Sequence, residues 1–233
     1  KIRRFSRFYS SIFGNCFNSF QAFLVQGANF TKNEEYPIIK RDMVPNHPPR
    51  KIMPFSKAIT YRGDLSDYCI YFYSMDETFE RVRKKPKRYL SFFKRSGGII
   101  GFDFSVHTDM PIIKQKAQMN DNLSLSFYFA QNGVPLYPNC RGGADSVNEE
   151  YLQAFPKNTL IALGAHGFVR LKEQKQEWRV WIETIIKKLE PKGLIIVGHL
   201  PKEIILTYQN FTNLYVFDSL IEERRKEQKA YVH

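Results

Sequence analysis

The chain has 233 residues, 43% of them hydrophobic and 25% charged, which fits one domain of ordinary size, alone or with a substantial extension. No stretch approaches the roughly 18 uninterrupted apolar residues of a membrane span, so no span is expected and the body should be soluble. Three widely spaced cysteines (Cys16, Cys69, Cys140) form no C-x-x-C pair and read as reduced structural thiols of a cytosolic protein.

The net charge of +12 is unevenly placed. Residues 1–95 carry 19 Lys/Arg against 8 Asp/Glu, whereas residues 96–233 carry 16 against 15. Such asymmetry points to a basic face for a polyanion, most often nucleic acid. Sequons at Asn29, Asn122 and Asn210 would matter only in a secreted protein, and nothing else suggests secretion.

In chain order, residues 1–30 mix Arg3, Arg4 and Arg7 with many phenylalanines and contain no acid. Phe13, Phe17, Phe20 and Phe23 fit one helical face, which favours a helix or arm packed on the body with its arginines outward. An acid-free start with Arg and Ser also resembles a transit peptide. Between Gly27 and Lys57 five prolines (Pro37, Pro45, Pro48, Pro49, Pro54) indicate an extended segment wrapped over the body, with a short strand within Phe55 to Tyr61. Residues 1–66 are therefore read as an N-terminal extension and 67–233 as an α/β domain.

From Tyr68 a regular rhythm begins. Apolar runs at 68–73, 99–104, 134–137, 159–163, 194–197 and 214–217 read as six strands. Helical stretches separate them at 77–95 (interrupted by Pro86), 111–131, 147–155, 172–189 and 201–210, with a charged helical tail after Asp218. In the stretch 172–189, Trp178, Trp181, Ile182, Ile185, Ile186 and Leu189 recur at helical spacing, so both tryptophans are expected to face the core. Repeated β-α units predict a mainly parallel sheet of about six strands, either open or curled into a β/α-barrel-like arrangement.

In such folds the strand ends converge on one face, where ligands bind. The ends offer Asp76, Asp103 with Ser105 and His107, Asn139 with Arg141, His166, His199 and Asp218. Mixed histidines and carboxylates could hold a divalent ion that activates water or orients a phosphate. No phosphate-binding loop and no G-x-S-x-G elbow is present. Asp103 and Asp109 could instead cap the helix that opens at Pro111.

The residues Phe72 to Phe79 with Asp76, then Pro86, Tyr89-Leu90, Asp103-Phe104-Ser105 and Asp109-Met110-Pro111 resemble a known pattern. It continues through Gly133-Val134, Pro138, Ser146, Gly167, Leu189-x-Pro191 and Gly198. Over residues 68–200 the chain is similar to the domain-of-unknown-function family 4417 of phage, plasmid and other mobile-element genomes. The resemblance implies a mobile-element setting and supplies no activity. Where the family pattern has an aromatic this chain has His107, and where it has a Trp this chain has Arg141. His166 and His199 also fall outside it. A site shared by the family would rest on Asp76, Asp103, Ser105 and Asn139.

The leading expectation is a cytoplasmic nucleic-acid-associated protein of an infected or plasmid-bearing cell. Its phosphate contacts would be Arg3, Arg4, Arg7, Arg81, Lys84, Lys85, Lys87 and Arg88. One alternative is a phosphodiester hydrolase whose divalent metal sits on Asp76 and Asp103. Another is an interaction protein that binds a host or defence factor through its aromatic arm and proline-rich wrap.

Overall fold

Seven short apolar runs form strands in the computed structural model, which describes residues 21–165 and 172–230. They are β1 (Lys51–Pro54), β2 (Tyr68–Tyr71), β3 (Gly98–Ile100), β4 (Leu136–Tyr137), β5 (Leu160–Gly164), β6 (Gly193–Val197) and β7 (Asn213–Phe217). Every ladder between them is parallel, in one sheet ordered β1-β2-β3-β4 and a second ordered β5-β6-β7. An isolated parallel bridge, Asn139 to Ala162, links the two. There Cys140 N donates to Ala162 O at 3.0 Å and Ala162 N donates to Pro138 O at 2.8 Å. The strand order therefore follows the chain order without reversal. Right-handed crossovers, the rule for β-α-β units, then place the connecting helices on one side.

The six runs expected from sequence all become strands, but they do not make a single sheet, and a seventh strand precedes them. No ladder joins β1 to β7 among the described residues, so no closed barrel forms there. The strand expected within Phe55 to Tyr61 is instead a helical turn, and β1 lies just before it. Strand β1 ends on Pro54, which suits its place at the sheet edge, where a missing N–H costs no ladder bond.

Helices fill the connections: α1 (Phe55–Ala58), α2 (Glu80–Lys84), α3 (Pro86–Phe93), α4 (Ile112–Gln131) and α5 (Asp145–Leu152). Then come α6 (Lys172–Leu189), α7 (Lys202–Tyr208) and α8 (Leu220–Ala230). Pro86 breaks the basic stretch in two and occupies the first turn of α3, where its missing donor is harmless. The high phenylalanine content becomes one aromatic core. Phe72 stacks on Phe102 at 4.2 Å, Phe79 meets Phe104 at 4.6 Å, and Phe93 meets Phe129 edge-on at 4.8 Å.

Residues 31–39 are tied to α4, α5 and the residues just after α5 by specific contacts. Glu150 of α5 accepts hydrogen bonds from the Thr31 hydroxyl at 2.6 Å and from the Asn33 amide at 2.8 Å. Lys116 of α4 pairs with Glu35 at 2.7 Å, and Ile39 N donates to Ala154 O at 2.9 Å. Buried Tyr36 packs edge-on against Tyr151.

At the other end of the chain, the Tyr71 hydroxyl of β2 accepts from Leu220 N at 3.0 Å and so satisfies a free donor in the first turn of α8. Burial pushes that hydroxyl's pKa up to about 12, so it stays protonated at neutral pH. Tyr71→Phe should cost about 0.5–1.5 kcal/mol in chemical denaturation, the usual worth of one such bond. It should also loosen the Leu220 amide in hydrogen exchange. No helix among the described residues is long and apolar enough to cross a membrane.

Candidate functional site

Residues 99–104 read as one strand, yet only Gly98–Ile100 pairs in the ladder. Gly101 N still donates to Tyr137 O of β4 at 2.9 Å, and beyond it side chains replace the missing strand partners. Phe102 N donates to Ser126 Oγ at 3.2 Å, and Phe102 O accepts from Asn139 Nδ2 at 3.1 Å. Asn122 of α4 grips both backbone groups of Phe104, accepting from its N–H at 2.7 Å and donating to its carbonyl at 3.0 Å. Phe102 and Phe104 face the aromatic core while Asp103 turns to the cavity, the alternation expected of an extended chain.

Asp103 is thereby delivered to the C-terminal ends of the strands, where its side chain is only 7% exposed. Arg141, just beyond β4, donates to Asp103 Oδ2 at 2.7 Å, and Asn139 Nδ2 donates to Oδ1 at 2.8 Å. Asn139 Oδ1 in turn accepts from the Tyr73 hydroxyl at 3.0 Å. Burial pushes the Asp103 carboxyl above its usual range, and the Arg141 charge and these hydrogen bonds pull it back. The Tyr73 hydroxyl is held well above its usual value by burial and by Asp103, so it remains a donor.

Asp76 forms a second, separate arrangement. It lies in the turn after β2 and accepts from Ser105 N at 3.1 Å and from Ser105 Oγ at 3.0 Å. It latches the loop after β3 to the end of β2.

A cavity of about 1280 Å³ opens beside Asp103. The ends of β2, β3, β4 and β5 reach it with Tyr73, Ser105, Asn139 and Gly164, and the turn after β7 with Ser219. Trp178 and Trp181 of α6 form part of its wall. Trp178 is buried, as its helical spacing predicts, whereas Trp181 is half-buried and donates its indole N–H to Cys140 O at 2.9 Å.

Of the residues singled out from sequence, Asp103, Ser105, Asn139 and Arg141 meet at this cavity, and Asp76 touches it through Ser105. His107 and His199 are exposed and do not line it. His166, Arg3, Arg4, Arg7 and Cys16 lie outside the described residues. Cys69 and Cys140 are free and buried, and burial raises both thiols well above their usual range.

The helix-capping reading of Asp103 and Asp109 fails. Helix α4 starts at Ile112 after Pro111 with no side-chain cap, because Asp103 is held inward by Arg141 and Asn139. Among the described residues no three His, Cys, Asp or Glu side chains gather as a metal site. A metal on Asp76 and Asp103 would compete with Ser105 at one carboxylate and with Arg141 and Asn139 at the other. Sequence reasoning missed Tyr73 and the cavity role of the tryptophans, because a helix face turned toward a cavity has the same spacing as one turned toward a core.

A family model described as a domain of unknown function, DUF4417, matches residues 30–216. The chain belongs to this family. The DUF4417 match begins at residue 30 and so takes in β1. The chain is also similar to the Gene 1 protein of Mycobacterium phage L5, with 22% identity over 56% of this chain and 57% of the relative. The Gene 1 protein of Mycobacterium phage D29 is 21% identical over 58% of this chain and 50% of that protein. The chain thus spans about half the length of the curated relatives it matches. No solved structure matches this DUF4417 chain.

Proposed function

We propose that this DUF4417 protein is a nucleic-acid-associated protein of a phage or related mobile element, acting in the cytoplasm of the infected or plasmid-bearing cell. In this reading the helical pair α2–α3 supplies phosphate contacts that do not depend on sequence. The phage relatives support the phage part of this setting. The open arrangement of parallel strands would be an incomplete β/α barrel, with the basic pair on its outer layer.

One observation carries the nucleic-acid reading. Arg81, Lys84, Lys85, Lys87, Arg88, Lys94 and Arg95 are all exposed, and no acid lies between Glu80 and Asp103. None of the seven forms a salt bridge among the described residues. The one inward cation of the stretch, Arg83, is neutralised by Glu80 at 2.8 Å and Asp121 at 3.0 Å. Several outward cations are steadied on rings: Lys87 lies 4.5 Å from the Phe23 ring centre and Arg81 5.5 Å from that of Phe55. A dense patch without counter-charges attracts a polyanion and releases its counterions on binding. Arg3, Arg4 and Arg7 would add to it.

The test is binding of short single-stranded DNA and RNA across a salt series. Affinity should fall steeply with salt. Changing Lys84, Lys85, Lys87 and Arg88 together to Gln should flatten the log–log slope by about 0.7–0.9 for each phosphate that the protein no longer neutralises. No binding at low salt, or binding unchanged by the fourfold substitution, would overturn the reading.

A further inference from the structure

From the cavity beside Asp103 we infer that it is a binding site for a nucleobase carrying an exocyclic amino group, presented by a free nucleoside or by an unstacked residue of a single strand. This site stands apart from the basic helical pair and does not depend on it.

The first observation is the pair of aromatic walls. An added Cβ at Gly142 would lie 2.8 Å from the Trp181 ring, and one at Gly164 would lie 2.9 Å from the Tyr73 ring. Each aromatic side chain is therefore seated directly on glycine backbone, which no larger residue would permit. Both rings line the cavity and both polar tips are anchored, Trp181 to Cys140 O and Tyr73 to Asn139 Oδ1. Rings fixed in this way give the cavity rigid aromatic walls at little cost in side-chain entropy, which suits contact with a planar heteroaromatic ring.

The second observation is a polar group that lines the same cavity. Asp103 is more than nine-tenths buried at the cavity wall, an expensive position for a carboxylate. Asn139 donates to one of its oxygens and Arg141 to the other, and a carboxylate oxygen has room for a second donor. The Asn139 amide, by contrast, is committed to Tyr73, Phe102 and Asp103. The cavity wall thus offers an acceptor with capacity for a ligand's donor. Arg141 already balances its charge, so a cationic amine would gain little there. A neutral N–H donor is the better match, and carboxylates accept from the amino group of cytosine in this way.

Size agrees. About 1280 Å³ exceeds the range of roughly 300–1,000 Å³ common for small-ligand pockets, leaving room for a base with its sugar and phosphate. Trp178 and Trp181 are the chain's two tryptophans and both line the cavity, so a ligand there reports on itself by fluorescence.

The experiment titrates the full chain with guanosine and cytidine against uridine, and with a short cytosine-rich single strand, following tryptophan emission. Saturable quenching at least tenfold tighter for guanosine or cytidine than for uridine is expected. Asp103→Asn, which turns one acceptor oxygen into a donor, should weaken it at least tenfold. Should that variant fail to fold, Gly142→Ala displaces the Trp181 wall and should weaken binding as well. Quenching by free nucleosides identifies a nucleoside site. Quenching by the strand alone, abolished in Asp103→Asn or Gly142→Ala, identifies a base within a strand. No saturable quenching by any probe, or an equal response to uridine and guanosine, would overturn the inference. The variant with Lys84, Lys85, Lys87 and Arg88 changed to Gln separates the two readings. Nucleoside quenching should survive in it even where salt-dependent strand binding is abolished.

Discussion

Replacing Arg141 with alanine is expected to destabilise the fold by about 3–5 kcal/mol, because it strands the buried Asp103 carboxylate without its counter-charge. The pair is close, 2.7 Å, and both members are largely shielded from solvent, with side-chain exposures of 18% and 7%. Screening therefore reduces its worth much less than that of a surface pair such as Arg50 with Asp67. The loss should depend on pH with a definite sign. Burial already raises the Asp103 carboxyl, and removing Arg141 takes away the main opposing influence. The folded state would then bind the Asp103 proton more tightly than the unfolded chain, whose carboxyl titrates near about 3.9. Stability linked to this group is present at acid pH and lost as pH rises through the folded value. The gap between variant and parent in urea denaturation should be widest near neutrality and narrow towards pH 5. Adding Asp103→Asn to the variant should recover part of the loss, since the uncompensated charge is gone. A gap independent of pH would show that the pair acts through packing alone.

Asn122→Ala should cost about 2–6 kcal/mol, since it leaves two buried backbone groups of Phe104 without partners at about 1–3 kcal/mol each. Asn122 is 3% exposed, and among the described residues no strand pairs with 102–104 to take over its two bonds. Asn122→Asp separates the two. It keeps the acceptor for Phe104 N but loses the donor to Phe104 O, so its cost should be smaller unless burial of the new charge dominates. The Phe104 amide should lose hydrogen-exchange protection in Asn122→Ala and keep more of it in Asn122→Asp. Loosening this clamp should also release Asp103, one residue away, from its partners at the strand ends.

Asn122 also shows where a linear reading stops. As part of Asn122-Leu123-Ser124 it forms a sequon, which has meaning only on an exposed, secreted surface. In the fold it is buried on α4 and acts as a substitute strand partner. The neighbouring run 99–104 was legible as extended because the chain must alternate to bury Phe102 and Phe104. Its ladder was not legible, because hydrogen bonding to side chains leaves the same apolar pattern as pairing with a strand. Strand β1 escaped notice for the opposite reason, since its composition is that of the proline-rich segment around it. An edge strand tolerates such composition, and edge position is a tertiary property.

Local periodicity by itself determined the alternation of strands and helices, the break at Pro86, and the appearance of a polar residue at each strand end. These follow from which side chains must leave water and from where proline cannot continue a helix. The basic stretch 81–95 was equally plain, since charge density needs no fold to be counted. Only the tertiary structure decided which strand ends share a site. Unreversed parallel order sets β2, β3, β4 and β5 side by side, bringing Tyr73, Asp103, Asn139 and Gly164 to one cavity. It left His107 exposed in the loop after β3, its backbone N–H turned to the Met110 sulfur at 3.3 Å. Asp103 was a candidate by position, but its meaning came from Arg141, 38 residues away, because a buried carboxylate is defined by the partner that reaches it.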